Sequence, residues 1–279
     1  MLKKLFAHEW KDTWRLMAIL NAAVILLTLC GLIVFNKKGL GQLFEGIDRY
    51  EGSAGFIIAG VGTYTFIYFV MIAALSITST LYFFIRFYKN LYTDQGYLMH
   101  TLPVTEHELI WSKTFVAMIW RVISTVVAVA AVFTLIASMI GKDFWEGLGD
   151  AFGEISVNIG NGKGVLVIVL FLIGSIASTL FSIFMGYTAV SIGQQFAKNR
   201  ALASIGVYLG MNFAINLITN LFTQGIVIGM SYSETVNRWE PTENTFIIAF
   251  LIGDLVIIAA SAGLYALTHY FMKKKLNLE

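Results

Sequence analysis

The sequence predicts an all-α integral membrane protein with six transmembrane helices, and three observations carry that expectation. Hydrophobic residues make up 57% of the 279-residue chain and charged residues only 13%, whereas soluble domains carry about 25% charged residues. Six apolar windows, each at least the roughly 20 residues needed to cross a bilayer, fall around 17–36, 56–85, 114–139, 164–190, 203–230 and 245–271. Runs such as VISTVVAVAAVFTLIASMI show none of the alternating polarity of membrane barrel strands, and a backbone without water to bond must satisfy itself within helices. The polar segments between the windows run to about 20–25 residues at most, below the roughly 40 that an unaided domain needs. Residues 1–279 are therefore expected to form a single transmembrane domain.

Ahead of the first span, Leu2, Leu5, Phe6, Glu9, Trp10, Thr13, Trp14 and Met17 recur at helical spacing, with Lys3, Lys4, Lys11 and Asp12 largely off that stripe. This pattern predicts an N-terminal interfacial amphipathic helix over 1–16, with Trp10 and Trp14 anchored among the headgroups; a plain extension of the first span is the alternative. The apolar run that follows is longer than the roughly 7–15 residues of a signal core, and Leu29 precedes the lone Cys30 where a lipoprotein signal needs a small residue. The first span is thus expected to stay attached, with Cys30 a packing residue.

Positive charge orients the spans. Lys3, Lys4, Lys11 and Arg15, then Arg86, Lys89 and Lys113, then Lys198 and Arg200, then Lys273, Lys274 and Lys275 fall on one side, which should be cytoplasmic. The opposite loops carry fewer cations, among them Lys37, Lys38, Arg49, Lys142, Lys163 and Arg238, mixed with acids such as Glu45, Asp48, Glu146, Asp150 and Glu243. Both termini are expected in the cytoplasm, with the chain multi-pass in the cell membrane. On the outer side, Phe144, Leu148, Phe152 and Ile155 keep helical spacing among acids and glycines, predicting a short amphipathic helix within 141–163.

Residues 86–115, RFYKNLYTDQGYLMHTLPVTEHELIWSKTF, join spans two and three. Phe87, Tyr88, Leu91 and Tyr92 share one helical face, Lys89, Asn90 and Asp94 point elsewhere, Gly96 suits a helix stop and Pro103 forbids continuation. Thr105 and Glu108 make a capping-box pair that opens span three. The expectation is a short cytoplasmic helix presenting aromatic and polar side chains as a docking surface.

This segment, FYKNLYTDQGYLMHTLPVTEHELIWSK, resembles the aromatic-rich, Gly-x-Leu and Leu-Pro-Val coupling segment of ATP-binding-cassette (ABC) type 2 exporter permeases, and SIGQQFAKNRALASIG between spans four and five resembles a second family segment. The likeness extends over the whole six-span topology of small bacterial members. It implies a permease subunit of an ABC exporter, working with a second permease copy or a related permease and with a separate nucleotide-binding ATPase subunit that binds ATP and Mg. In that implication Phe87, Tyr88, Lys89, Leu91, Tyr92, Asp94, Gly96 and Leu98 form the coupling helix, through which ATP-driven closure rocks the spans. Catalysis is not expected in this chain: a phosphate loop needs G-x-x-x-x-G-K-[ST], and the string nearest to it, NIGNGKG, lacks the glycine spacing and the hydroxyl.

Within the spans, Tyr208, Asn212, Asn216, Asn220 and Gln224 recur every four residues and wind round the fifth helix as a slanted polar ribbon. Amides hydrogen-bonded to neighbouring helices and a wall of the substrate path or dimer seam both fit that ribbon. Gly206 and Gly210, and the line Gly174, Ser178, Ser182 and Gly186, are expected at close helix contacts. Arg121 and Asp254 are the two ionisable residues that stand out within apolar windows, each needing a partner or water. Arg121 is expected as an anchor near the cytoplasmic end, Asp254 as a helix contact or a substrate-path group.

His107 and Glu108 begin an H-E-x-x-H string, but Trp111 occupies the second histidine position, so no metal site is expected. The few basic residues sit at membrane borders and suit anionic lipid headgroups, with no nucleic acid partner. A membrane-embedded sensor or scaffold without transport, and an ion-coupled secondary transporter, remain the competing readings.

Overall fold

A computed structural model of the chain describes residues 2–35, 54–93, 95–96, 103–159, 163–196, 199–233 and 243–274. Asp94 and Leu98 lie outside these residues, as do the two charged loops at 36–53 and 234–242; Gln224 is in a described helix, but its side chain is not described. The described residues contain no strand. They form α1 (Leu2–Phe35), α2 (Ala54–Tyr92), α3 (Glu106–Ile140), α4 (Lys142–Ile159), α5 (Lys163–Gly193), α6 (Arg200–Ser233) and α7 (Glu243–Lys274). All except α4 contain a stretch long and apolar enough to cross a membrane. The protein is a multi-pass, all-α membrane protein with six such helices among the described residues.

Helix ends follow local chemistry. At the start of α3, the Thr105 backbone N–H donates to Glu108 Oε2 and the Glu108 N–H donates to Thr105 Oγ1, both at 3.3 Å. The expected capping box is thus formed, satisfying two donors that a helix start leaves open. Between α3 and α4, Gly141 adopts φ 78° and its N–H reaches the Ala137 carbonyl at 3.0 Å, a left-handed helix stop that glycine adopts without steric cost. Asn199, at φ 53°, precedes α6 and accepts from the Ala203 N–H at 2.9 Å; asparagine is among the few other residues that tolerate this region.

The expected separate helix over 1–16 is replaced by one uninterrupted α1 from Leu2 to Phe35. No glycine or proline lies between the amphipathic stripe and the apolar run, so nothing in the backbone breaks the hydrogen-bond ladder. Trp10 stacks on Trp120 with ring centroids 4.9 Å apart. Trp14 stays exposed.

The chain divides into two compact units. The first comprises Lys3–Phe83 and Phe115–Asn158. Its core runs along α1, α2 and α3 as Met17, Val116 and Trp120, then Val24, Tyr68, Leu75, Ala131 and Leu135. Polar ties cross the same helices: Asn21 Nδ2 donates to Ser124 Oγ at 3.1 Å, Tyr64 donates to the Leu27 carbonyl at 2.6 Å, and the Thr28 and Tyr68 hydroxyls pair at 3.1 Å. Such bonds contribute about 0.6 kcal/mol each in a bilayer. The second unit comprises Phe84–Thr114 and Ile159–Glu279, with the first two residues of the chain. Its hub is the last third of α5, which packs against α6 and α7 and in which every side chain from Ile183 to Ser191 is buried.

Candidate functional site

The expected coupling residues occupy the end of α2, and the structure changes their role. Phe87, Leu91 and Tyr92 are each at most 1% exposed, so they are not the outward aromatic surface expected from the sequence. Phe87 stacks on Tyr187 of α5, and the Tyr92 hydroxyl donates to Ser191 Oγ at 2.8 Å. An aromatic face on a polar segment packs inward here because α5 offers a matching face. Tyr88 is half-buried, and Lys89 is exposed. Gly96 is buried, and its N–H donates to the Thr93 carbonyl at 2.6 Å, turning the chain just past the helix end as expected.

The start of α3 belongs to the same cluster. Trp111 meets Phe184 of α5 edge-on at 5.9 Å and Tyr265 of α7 at 5.7 Å. Beside it, His107 stacks on His269 at 4.1 Å, and His107 Nδ1 is hydrogen-bonded to the Tyr265 hydroxyl. Sequence reasoning missed this group, because His107 and His269 stand far apart along the chain and only folding places their rings together. Trp111, Phe184 and Tyr265 also line an apolar cavity of about 420 Å³ between α3, α5 and α7. Among the described residues no three His, Cys, Asp or Glu side chains gather as metal ligands would.

On α6 the polar ribbon bonds to its own helix. Asn212, Asn216 and Asn220 each donate Nδ2 to the carbonyl four residues earlier, at 2.8–3.0 Å. Asn216 and Asn220 are exposed, Asn212 is half-buried, and Tyr208 meets Phe84 edge-on at 5.4 Å. Gly206 and Gly210 have nothing within 4 Å of an added Cβ, so the expected close contact at this pair is not made among the described residues. The α5 line behaves differently at its ends: a Cβ at Gly186 would collide with the Phe84 ring, and one at Gly174 with Asp254 Oδ1.

Arg121 and Asp254 fall in different units. Arg121 Nη1 donates to Thr80 Oγ1 at 2.8 Å, within the first unit. Asp254 is 8% exposed, and its buried Oδ2 has no hydrogen-bond partner among the described residues. It lines a cavity of about 650 Å³ between α5 and α7, with Phe171, Gly174, Ser175, Ser178 and Phe250. Both hydroxyl protons of that wall are committed to helix carbonyls, Ser175 to Leu172 at 2.8 Å and Ser178 to Ser175 at 3.0 Å. Among the described residues the side chains of the cavity thus present acceptors and no donor. Comparison of the chain with protein-family models, with curated proteins and with solved structures finds no match.

Proposed function

We propose that this chain is the membrane permease subunit of an ABC exporter, coupling ATP hydrolysis by a separate nucleotide-binding subunit to export across the cytoplasmic membrane. The observation that carries the reading is the packing at the two ends of the α2–α3 connection. The connection leaves α2 at Phe87 and Tyr92, held by Tyr187 and Ser191 of α5, and enters α3 near Trp111, held by Phe184 of α5 and Tyr265 of α7. A push on residues 93–105 therefore acts on packed aromatic rings, which transmit displacement as rigid contacts.

Helix length supports the same reading. The 39 residues of α2 span about 58 Å at 1.5 Å per residue, well beyond a hydrocarbon core of about 30 Å. The charged and polar residues Arg86, Lys89 and Asn90 lie at its C-terminal end, suiting an end raised above the cytoplasmic leaflet. In this arrangement the α2–α3 connection, the α5–α6 turn and both termini are cytoplasmic. ATP and Mg belong to the partner, and a second permease copy or a related permease completes the transporter. The amphipathic start of α1 continues the span helix past the cytoplasmic border, since its 34 residues exceed what a hydrocarbon core of about 30 Å needs.

The test is co-purification from native membranes followed by ATPase measurement in lipid. Recovery of a nucleotide-binding subunit whose hydrolysis rate rises with this chain present is the expected result, and Lys89→Glu, at an exposed site, should weaken that stimulation. A chain that purifies without any such subunit, or that leaves its hydrolysis unchanged, is not a permease of this class.

A further inference from the structure

The cavity between α5 and α7 is built for a particular kind of guest. Asp254 is the eighth residue of the span Ile247–Lys274, in a segment apolar enough to cross a membrane, and hydrocarbon offers a carboxylate no donor. Its Oδ2 is buried and unpartnered among the described residues. Among the described residues no lysine, arginine, histidine or amide side chain lines the cavity. Ser175 and Ser178 have turned their protons into their own helix, leaving oxygen lone pairs for a guest. Phe171 and Phe250 supply flat apolar walls, and aromatic faces attract cations as well as hydrocarbon.

An inorganic ion fits this set poorly. Hard cations take about six or more oxygens at 2–2.6 Å, while the side chains here offer one carboxylate and two hydroxyls in a space of about 650 Å³, within the size range of small-molecule pockets. We propose that this cavity binds amphipathic organic cations, Asp254 taking the ammonium with Ser175 and Ser178 while the apolar body lies against Phe171 and Phe250. Gly174 makes the geometry available, because any larger residue there would occupy the space taken by Asp254 Oδ1. The proposal rests on the transport reading for its meaning, since it names the class of cargo. Binding itself requires neither ATP nor a partner.

The experiment uses the full chain in zwitterionic lipid nanodiscs, with monodansylcadaverine as a fluorescent probe and its N-acetyl derivative as a probe with the same dansyl body, an added acetyl group and no charge. Saturable binding of the amine is expected, with the acetylated probe weaker by at least about tenfold, the size of one lost charge-assisted hydrogen bond. Asp254→Asn should weaken the amine by a similar factor while leaving the acetylated probe unchanged, and Asp254→Glu should retain part of the preference. Equal binding of both probes by the unmodified chain overturns the proposal, even where Asp254→Asn fails to fold. Equal amine binding by a well-folded Asp254→Asn protein overturns it too. Loss of ATPase coupling with amine binding intact would count against the transport reading alone.

Discussion

The ring of Phe87 lies flat on that of Tyr187, with centroids 3.8 Å apart and planes 8° from parallel. One residue lies in the last two turns of α2 and the other sits in the buried third of α5, so the pair ties a helix end to the hub of its unit. Both rings are 1% exposed. Phe87→Ala should therefore cost about 3–5 kcal/mol, the usual range for emptying a buried phenylalanine site, read as a lower unfolding midpoint in detergent. Phe87→Leu should cost distinctly less. A loss below about 1 kcal/mol for the alanine variant would mean that the stack does not hold α2 to α5.

One turn further on, the Tyr92 hydroxyl donates to Ser191 Oγ at 2.8 Å with both residues buried. Tyr92→Phe and Ser191→Ala should each destabilise by about 1–3 kcal/mol, because each strands a buried partner. The double variant should lose little more than either single one. Additive losses in that cycle would show that the two hydroxyls do not act as a pair.

Gln194 follows the end of α5 and is fully buried, yet neither Oε1 nor Nε2 has a hydrogen-bond partner among the described residues. Gln194→Leu removes two stranded polar atoms at similar volume and should leave the unfolding midpoint unchanged or raise it. Gln194→Glu places a charge in the same space and should lower it. A marked loss in the leucine variant would reveal a bond made by the amide in the working protein.

Charge distribution supplies an orientation that labelling can check. Cys30 is the one cysteine of the chain, so Cys30→Ser gives a background without thiols. In intact cells, a membrane-impermeant maleimide should modify Glu146→Cys in α4 and spare Lys4→Cys and Lys274→Cys until the cells are opened. The reverse pattern would place the α2–α3 connection outside and end the export proposal.

Much of the architecture was legible because hydropathy and length alone decide what crosses a bilayer. The Thr105–Glu108 cap was legible for a similar reason, since its spacing is local and its chemistry unambiguous. The inward turn of Phe87, Leu91 and Tyr92 was not, because an aromatic stripe has the same spacing whether it meets a partner or a neighbouring helix. The Trp10–Trp120 stack was hidden for the same reason, since the spacing of Trp10 does not say which helix lies across from it. The His107–His269 stack depends on α3 meeting α7, which no local pattern encodes. Glycine spacing also separated poorly, since Gly186 receives the Phe84 ring while Gly206 and Gly210 stand open.

The run from Ile183 to Ser191 is enclosed around its whole circumference, whereas Val165, Leu166, Ile168, Phe171 and Leu172 near the other end of α5 are exposed. Relatives of this chain should accordingly drift freely in the first half of α5, exchanging one aliphatic residue for another. In the second half, changes should arrive in company, each substitution matched by another on α2 or α7, so that paired variation among descendants traces the enclosed face.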